Sequence, residues 1–205
     1  MDRGTLERRL QRLDGFADPR VEFEQYPTPP DIAAHLVHLA ALQGDLARPV
    51  VDLGSGTGVL ALGAALAGAP SVVGVERDAD AIATARENAA RLELPADSAV
   101  TWVRGDATRP PLCPSAVTVV SNPPFGAQRG NEHADRAFLA ATADLATVSY
   151  TIHNAGSRGF VESFVADRGG EVTHAFAAAF DVDRQFAFHT DDRRTLDTEV
   201  FRIEW

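Results

Sequence analysis

The 205-residue sequence contains no lysine: all 19 basic residues are arginine, set against 29 aspartates and glutamates, for a formal net charge of −10. Lysine is a strongly hydrated point charge and arginine a planar bidentate donor, so the replacement is not neutral. It reads as adaptation to high salt in a halophile with a GC-rich genome, the plainer alternative being an acidic cytoplasmic protein. Such a charge disfavours nonspecific nucleic-acid binding, yet at high salt phosphate contacts are worth little to any protein, so it does not exclude an RNA substrate. The one cysteine, Cys113, excludes an internal disulfide, and no Cys/His group has zinc-ligand spacing, which argues against a structural metal. No apolar run approaches the roughly 18 residues of a membrane span, and no charged-then-apolar leader opens the chain; a soluble, cytoplasmic protein is expected.

What is present is an alternation of short β-branched runs and alanine-rich stretches. Apolar spacing over residues 5–13 gives a short amphipathic helix broken by Asp14-Gly15. After Pro29-Pro30, a helix is predicted over 32–42 with Asp31 in its first turn. Strands are predicted at 50–53, 72–76, 100–103 and 117–121, separated by helices at about 58–68 and 79–92. Further helices fall at 134–143 and 157–168, with strands at 147–152, 172–180 and 199–205, the last two joined by an Asp- and Arg-rich connection over 181–198. This is βαβ organisation: an α/β, doubly wound, Rossmann-like domain whose mostly parallel sheet ends in an antiparallel hairpin. No repeat or linker divides it, so one domain over 1–205 is expected.

Ligands of such sheets sit beyond the strand carboxyl ends, and there the chain carries Asp52-Leu53-Gly54-Ser55-Gly56-Thr57-Gly58. Glycines let backbone approach a ligand, and the following helix start offers free N–H groups. The spacing is G-x-G-x-G, with Val59 following; the nicotinamide-type G-x-G-x-x-G is not met. Glu76 ends the next strand, where a carboxylate suits ribose hydroxyls, and Asp106 follows the third. Glycine turns and strand-end acids are common singly; together they favour a nucleoside cofactor, as at the S-adenosylmethionine site of class I methyltransferases.

The fourth strand leads into Asn122-Pro123-Pro124-Phe125. Two prolines make this loop rigid. A planar NH2 group is a poor nucleophile; acceptors at the Asn122 side chain and the Pro123 carbonyl would each take a hydrogen bond from one N–H, and Phe125 would stack on a flat base extruded from its own stack. The sulfonium donor is already activated, so alignment is needed more than a base or metal.

On these segments, the chain resembles the methyltransferase-like 5 family, adenine-N6 methyltransferases of small-subunit ribosomal RNA. The resemblance spans nearly the whole chain: residues 6–16, FEQYPTPPDIAAHL at 23–36, 51–63, 74–82, NPPFG at 122–126, 135–139, YTIH at 150–153 and FAFH at 186–189. It implies a seven-stranded class I methyltransferase sheet, with 1–45 as N-terminal helices and a segment lying over the active site. It implies a cofactor site of Gln25, Tyr26, Thr28, Asp52, Gly54, Gly56, Thr57, Val59, Glu76, Asp106 and Ala107, and an adenine held by Asn122 to Phe125. It also implies a small zinc-ribbon activator protein as heterodimer partner, for which the edge strand near 98–104, carrying Val100 and Trp102, is the expected dock. Two departures stand out: Asn154 and Thr190-Asp191-Asp192 replace basic residues expected after His153 and His189. Both histidines read as structural. Arg129, Arg136, Arg158, Arg184, Arg193 and Arg194 are candidate phosphate contacts. The competing readings are a protein glutamine N5-methyltransferase, which usually carries an extra helical domain, and a noncatalytic ribosome-assembly factor.

Overall fold

The computed structural model describes residues 1–113, 116–125, 134–183 and 193–205. Arg129, Arg184, His189 and Thr190 to Asp192 lie outside the described residues. Seven strands form one sheet: β1 (Val50–Leu53), β2 (Ser71–Glu76), β3 (Ala99–Arg104), β4 (Val117–Ser121), β5 (Ala146–Asn154), β6 (Glu171–Asp183) and β7 (Arg193–Glu204). Their order is β3-β2-β1-β4-β5-β7-β6. The first five are mutually parallel, and β7 pairs antiparallel with both β5 and β6. The topology reverses at β1, which lies between β2 and β4, so the ends of β1 and β4 open side by side; a crevice forms at such a point. The hairpin strands run further than the hydrophobic pattern predicts, to Asp183 and from Arg193. Ladder hydrogen bonds extend through polar residues that propensity assigns to a loop.

Alternation along the strands divides two helical layers. Val50, Val72, Val120 and Tyr150 face α1 (Arg3–Leu10), α2 (Pro30–Leu42) and α3 (Val59–Leu66). Val51, Leu53 and Val119 face α5 (Ala134–Leu145), and α6 (Arg158–Asp167) packs on Phe201 and Ile203. The fourth helix, α4 (Ala79–Arg91), follows β2. The edge strand β3 corrects one expectation. Trp102 lies over Gly74 of β2, where an added Cβ would come within 2.5 Å of the indole, so only glycine admits the ring. Val100 and Trp102 pack on the main core, and Ala99, Thr101 and Arg104 are exposed instead. The pleat decides this, because alternate residues of an edge strand face the helix layer.

One polar cluster is buried beneath the β5–β7 pairing. The Asp45 carboxylate accepts from Tyr150 Oη at 2.7 Å, from Arg202 Nε at 2.9 Å and from Arg202 Nη2 at 3.3 Å. Burial and the Asp45 charge push the Tyr150 hydroxyl upward, and the carboxylates of Asp45 and Glu204 hold Arg202 charged against the cost of burial.

Candidate active site

Gly54 to Gly58 turn sharply off β1, with Gly54, Gly56 and Gly58 at φ of +75°, +51° and +91°. Gly54 and Ser55 N–H both donate to the Val75 carbonyl of β2. The backbone of Gly56 is covered by the Phe16 ring, which a Cβ there would meet at 2.9 Å. Three N–H groups grip the Glu76 carboxylate: Gly56 at 2.9 Å on Oε2, and Arg77 and Asp78, each at 2.8 Å, on Oε1. With most lone pairs so engaged, the Glu76 carboxylate is fixed in place at the cleft wall. Asp106 accepts from the backbone and side chain of Thr108, and its carboxyl is held low by those bonds and by Arg77 and Arg109.

Asp52 sits beneath the glycine turn, only 1% exposed. Its Oδ2 accepts the Ala61 N–H at 2.9 Å, satisfying a donor of the first turn of α3 that no backbone carbonyl can reach. Its Oδ1 is buried with no hydrogen bond among the described residues. Burial pushes this carboxyl up to about 7, helped by the charge of Glu76 and opposed by the Ala61 bond.

Residues 14–28 run across the open end of the sheet and are tied down at several points. Asn88, fully buried in α4, exchanges two hydrogen bonds with the backbone of Asp14 and donates to the Thr57 carbonyl. The Gln25 amide donates to Asp78 at 2.7 Å and accepts from Arg20 N–H at 2.7 Å. Arg77 lies over the Phe23 ring at 4.4 Å. Beneath this strap is a cleft of about 410 Å³, within the roughly 300–1,000 Å³ usual for small-molecule sites. Its walls carry Phe16, Phe23, Tyr26 and Phe138 for a flat apolar group, and Glu76 and Asp106 for hydroxyl or amino groups. A nucleoside cofactor bearing positive charge fits this set: the walls are aromatic, the carboxylates are acceptors, and a buried carboxyl oxygen lies unpaired in the adjoining recess.

The Asn122 loop leaves β4 at this opening. Asn122 Nδ2 donates to Thr28 Oγ1 at 3.0 Å, while Asn122 Oδ1 is buried and has no hydrogen bond among the described residues. On the far side of the loop, the Phe125 carbonyl accepts from Asn154 Nδ2 at 3.2 Å. Behind it, Ser121, Thr151 and His153 form a buried chain of polar groups with separations of 3.2 and 3.0 Å. Burial draws His153 down to about 4, against a weak opposing pull from Asp135, so at neutral pH it is an uncharged packing group set edge-on to Phe201.

Of the residues singled out from sequence, Gln25, Tyr26, Gly54, Gly56, Glu76, Asp106, Ala107, Asn122 and Pro124 line the main cleft. Thr28, Asp52, Thr57 and Val59 line the adjoining recess, which shares Tyr26, Gly54, Gly56 and Asn122 with it. Pro123 and Phe125 instead face a small hollow on the β5 side with His153 and Asn154. Gln25 reaches the cleft wall with its amide already engaged by Asp78 and Arg20. The sequence reading missed Phe16, Phe23, Arg77 and Phe138 as cleft residues and Asn88 as the tie beneath the glycine turn. The only signal for Asn88 was a polar residue on the apolar side of an alanine-rich helix.

Comparison with known proteins agrees with this geometry. Residues 29–148 match the family model described as a methyltransferase small domain. The rRNA N(6)-adenosine-methyltransferase Mettl5 of Drosophila melanogaster is 34% identical, over 97% of this chain and 94% of its own length. An uncharacterized protein of Methanocaldococcus jannaschii is 33% identical over 97% of this chain and 92% of its own. Among solved structures, a candidate RNA methyltransferase from Pyrococcus horikoshii superposes with a TM-score of 0.86 at 35% identity, covering 98% of this chain and 97% of that one. A matched methyltransferase domain and full-length relatives above 30% identity establish that the chain belongs to the methyltransferase-like 5 family of methyltransferases.

Proposed function

We propose that this protein transfers a methyl group from S-adenosylmethionine to the exocyclic N6 of an adenine in small-subunit ribosomal RNA. The observation that carries the reading is Asn122 Oδ1, a buried acceptor without a partner among the described residues, at the mouth of a cleft fitted to a cationic nucleoside. S-adenosylmethionine supplies a methyl group on positively charged sulfur, already activated for displacement. Phe16, Tyr26, Gly54, Gly56, Glu76, Asp106 and Ala107 would hold it. Asn122 Oδ1 and the Pro123 carbonyl would each accept a hydrogen bond from one amine N–H, which turns the nitrogen lone pair toward the methyl group; as the N–CH3 bond forms and the S–CH3 bond breaks, one amine proton leaves to water. Phe125 supplies the stacking face for an adenine drawn out of its stack. His153, neutral and buried against Thr151 and Phe201, is left to packing in this reading. The two relatives that cover this chain almost end to end and carry rRNA N6-adenosine methyltransferase names support adenine over a protein amide as the acceptor.

The remaining expectations belong to the same reading. The chain acts as one domain over 1–205, with 1–45 closing over a Rossmann-like core at 46–205, in the cytoplasm with the ribosome. No helix among the described residues is long and apolar enough to cross a membrane. The lysine-free acidic surface suits high salt. A zinc-ribbon activator would pair as a heterodimer with the backbone of β3, whose outer edge has no partner strand among the described residues. Because Trp102 is spent on Gly74, that docking would rest on ladder hydrogen bonds and on Ala99 and Thr101.

The test is N6-methyladenine in ribosomal RNA from wild-type and deletion strains, with Asn122→Ala returned to the deletion. The mark should be lost on deletion and stay absent with Asn122→Ala, while the purified variant still binds cofactor. An unchanged level in the deletion strain refutes the reading. Co-expression with the activator should raise soluble yield; identical yield and melting count against the β3 dock.

A further inference from the structure

The resemblance puts Thr28 among the cofactor contacts, but its hydroxyl is bonded to Asn122. We infer that Thr28 is a positioning residue for the methyl-transfer step: it anchors the Asn122 amide where its oxygen can meet the substrate. The inference rests on the proposed function.

An asparagine amide has two ends of nearly equal shape and opposite hydrogen-bonding character. The exocyclic amine of a base presents donors, so only the oxygen end can receive it; the NH2 end would set donor against donor. Thr28 Oγ1 accepts from Nδ2 at 3.0 Å; this contact holds the amide in place, and Oδ1 is left as the buried acceptor. Both partners are rigidly mounted. Thr28 is followed by Pro29-Pro30 and Asn122 by Pro123-Pro124, and each proline restricts itself and the residue before it. Pro30 is the first residue of α2, whose Ile32, Ala33, Leu36 and Val37 are buried in the core. Asn122 continues directly from β4, whose five residues are all buried. A threonine 94 positions earlier in sequence is thus anchored through a core helix to the catalytic loop. Thr28 itself is buried, and no other hydrogen bond of its hydroxyl is recorded among the described residues.

The experiment compares Thr28→Val, which removes the hydroxyl at similar size, with Thr28→Ser, which keeps it. Turnover on ribosomal RNA, cofactor affinity and the side-chain amide signals of Asn122 are measured in the full chain, those signals being assigned by their loss in Asn122→Ala. Thr28→Val should lower kcat by about ten-fold or more, leave cofactor affinity within about two-fold, and move the Asn122 NH2 signals while the amides of 54–58 stay in place. Thr28→Ser should restore both kcat and the signals. In an Asn122→Ala background, Thr28→Val should cost nothing further. The inference is overturned if the Asn122 signals do not move in Thr28→Val, if Thr28→Ser is as impaired as Thr28→Val, or if cofactor affinity falls in step with turnover. Should the wild type leave ribosomal adenine unmethylated, the proposed substrate falls, and the Asn122 signals still decide the role of Thr28.

Discussion

Replacing Asp52 by Asn should change how stability responds to pH, because two buried groups titrate in opposite senses over the same range. Asp52 is raised from 3.8 to about 7, first by burial and then by the charge of Glu76. Below pH 4, both folded and unfolded chains hold its proton and its contribution is intact. Between 4 and 7 the unfolded chain releases the proton and the folded chain keeps it, so stability is lost as pH rises through the folded value. At about 1.4 kcal/mol for each pH unit, the ceiling is about 4 kcal/mol. His153 runs the other way. It is lowered from 6.5 to about 4, so its contribution is complete above 6.5 and is lost as pH falls toward 4, with a ceiling of about 3 kcal/mol. From these two groups, the wild-type curve between 4.5 and 6.5 is close to flat. Asp52→Asn removes the falling limb, so the melting temperature of the variant relative to wild type should climb from pH 4.5 to 7.5. About 3 kcal/mol of this falls between pH 4.5 and 7.5, so at roughly 2–4 °C per kcal/mol for a chain of this size the climb is about 6–12 °C. Scanning calorimetry or fluorescence melts across that range measure it. Parallel wild-type and variant curves would refute the assignment of a protonated Asp52 to the folded, cofactor-free protein. The same proton should leave when the cationic cofactor binds, so cofactor affinity should rise with pH toward 7 in wild type and vary less in the variant.

Asp45→Ala should destabilise the protein by about 3–5 kcal/mol, because the Arg202 side chain is 7% exposed and would keep only the half-exposed Glu204 as a charge partner. A thermal melt reads this, and a loss under about 1 kcal/mol would mean that water reaches the guanidinium. Asn154→Ala removes the hydrogen bond to the Phe125 carbonyl at the end of the catalytic loop. It should lower kcat by about three- to ten-fold with cofactor affinity unchanged, a kinetic split measured on ribosomal RNA; equal losses in both would move Asn154 from the loop to the general fold.

Much of the site was legible as chemistry carried by adjacent residues. A glycine turn after a buried strand, an acid at the end of the next strand, and an asparagine before two prolines each express a local backbone requirement, which is why their spacing could be read directly. The antiparallel end of the sheet was legible too, though its strands continue through residues assigned to a loop, because ladder bonds do not need an apolar pattern. Phe16, Phe23 and Phe138 were not legible as cleft walls: an aromatic residue in a loop or on a helix has the same sequence signature whether it meets the core or a ligand. That Trp102 turns onto Gly74 and the core was not legible either, because sequence gives the period of a strand but not which face the helices cover.

By itself, then, the sequence determined the order of strands and helices, the backbone conformation of the two ligand loops and the class of chemistry they permit, all set by interactions within a few residues. Only the tertiary structure decided how each polar side chain is spent. Gln25 is engaged with Asp78, Thr28 with Asn122 and Asn88 with Asp14 and Thr57, across separations of 31 to 94 residues. Hydrogen-bond partners of that kind exist only once the chain has folded. The buried oxygens of Asp52 and Asn122 have no such partner among the described residues and stand open to a ligand.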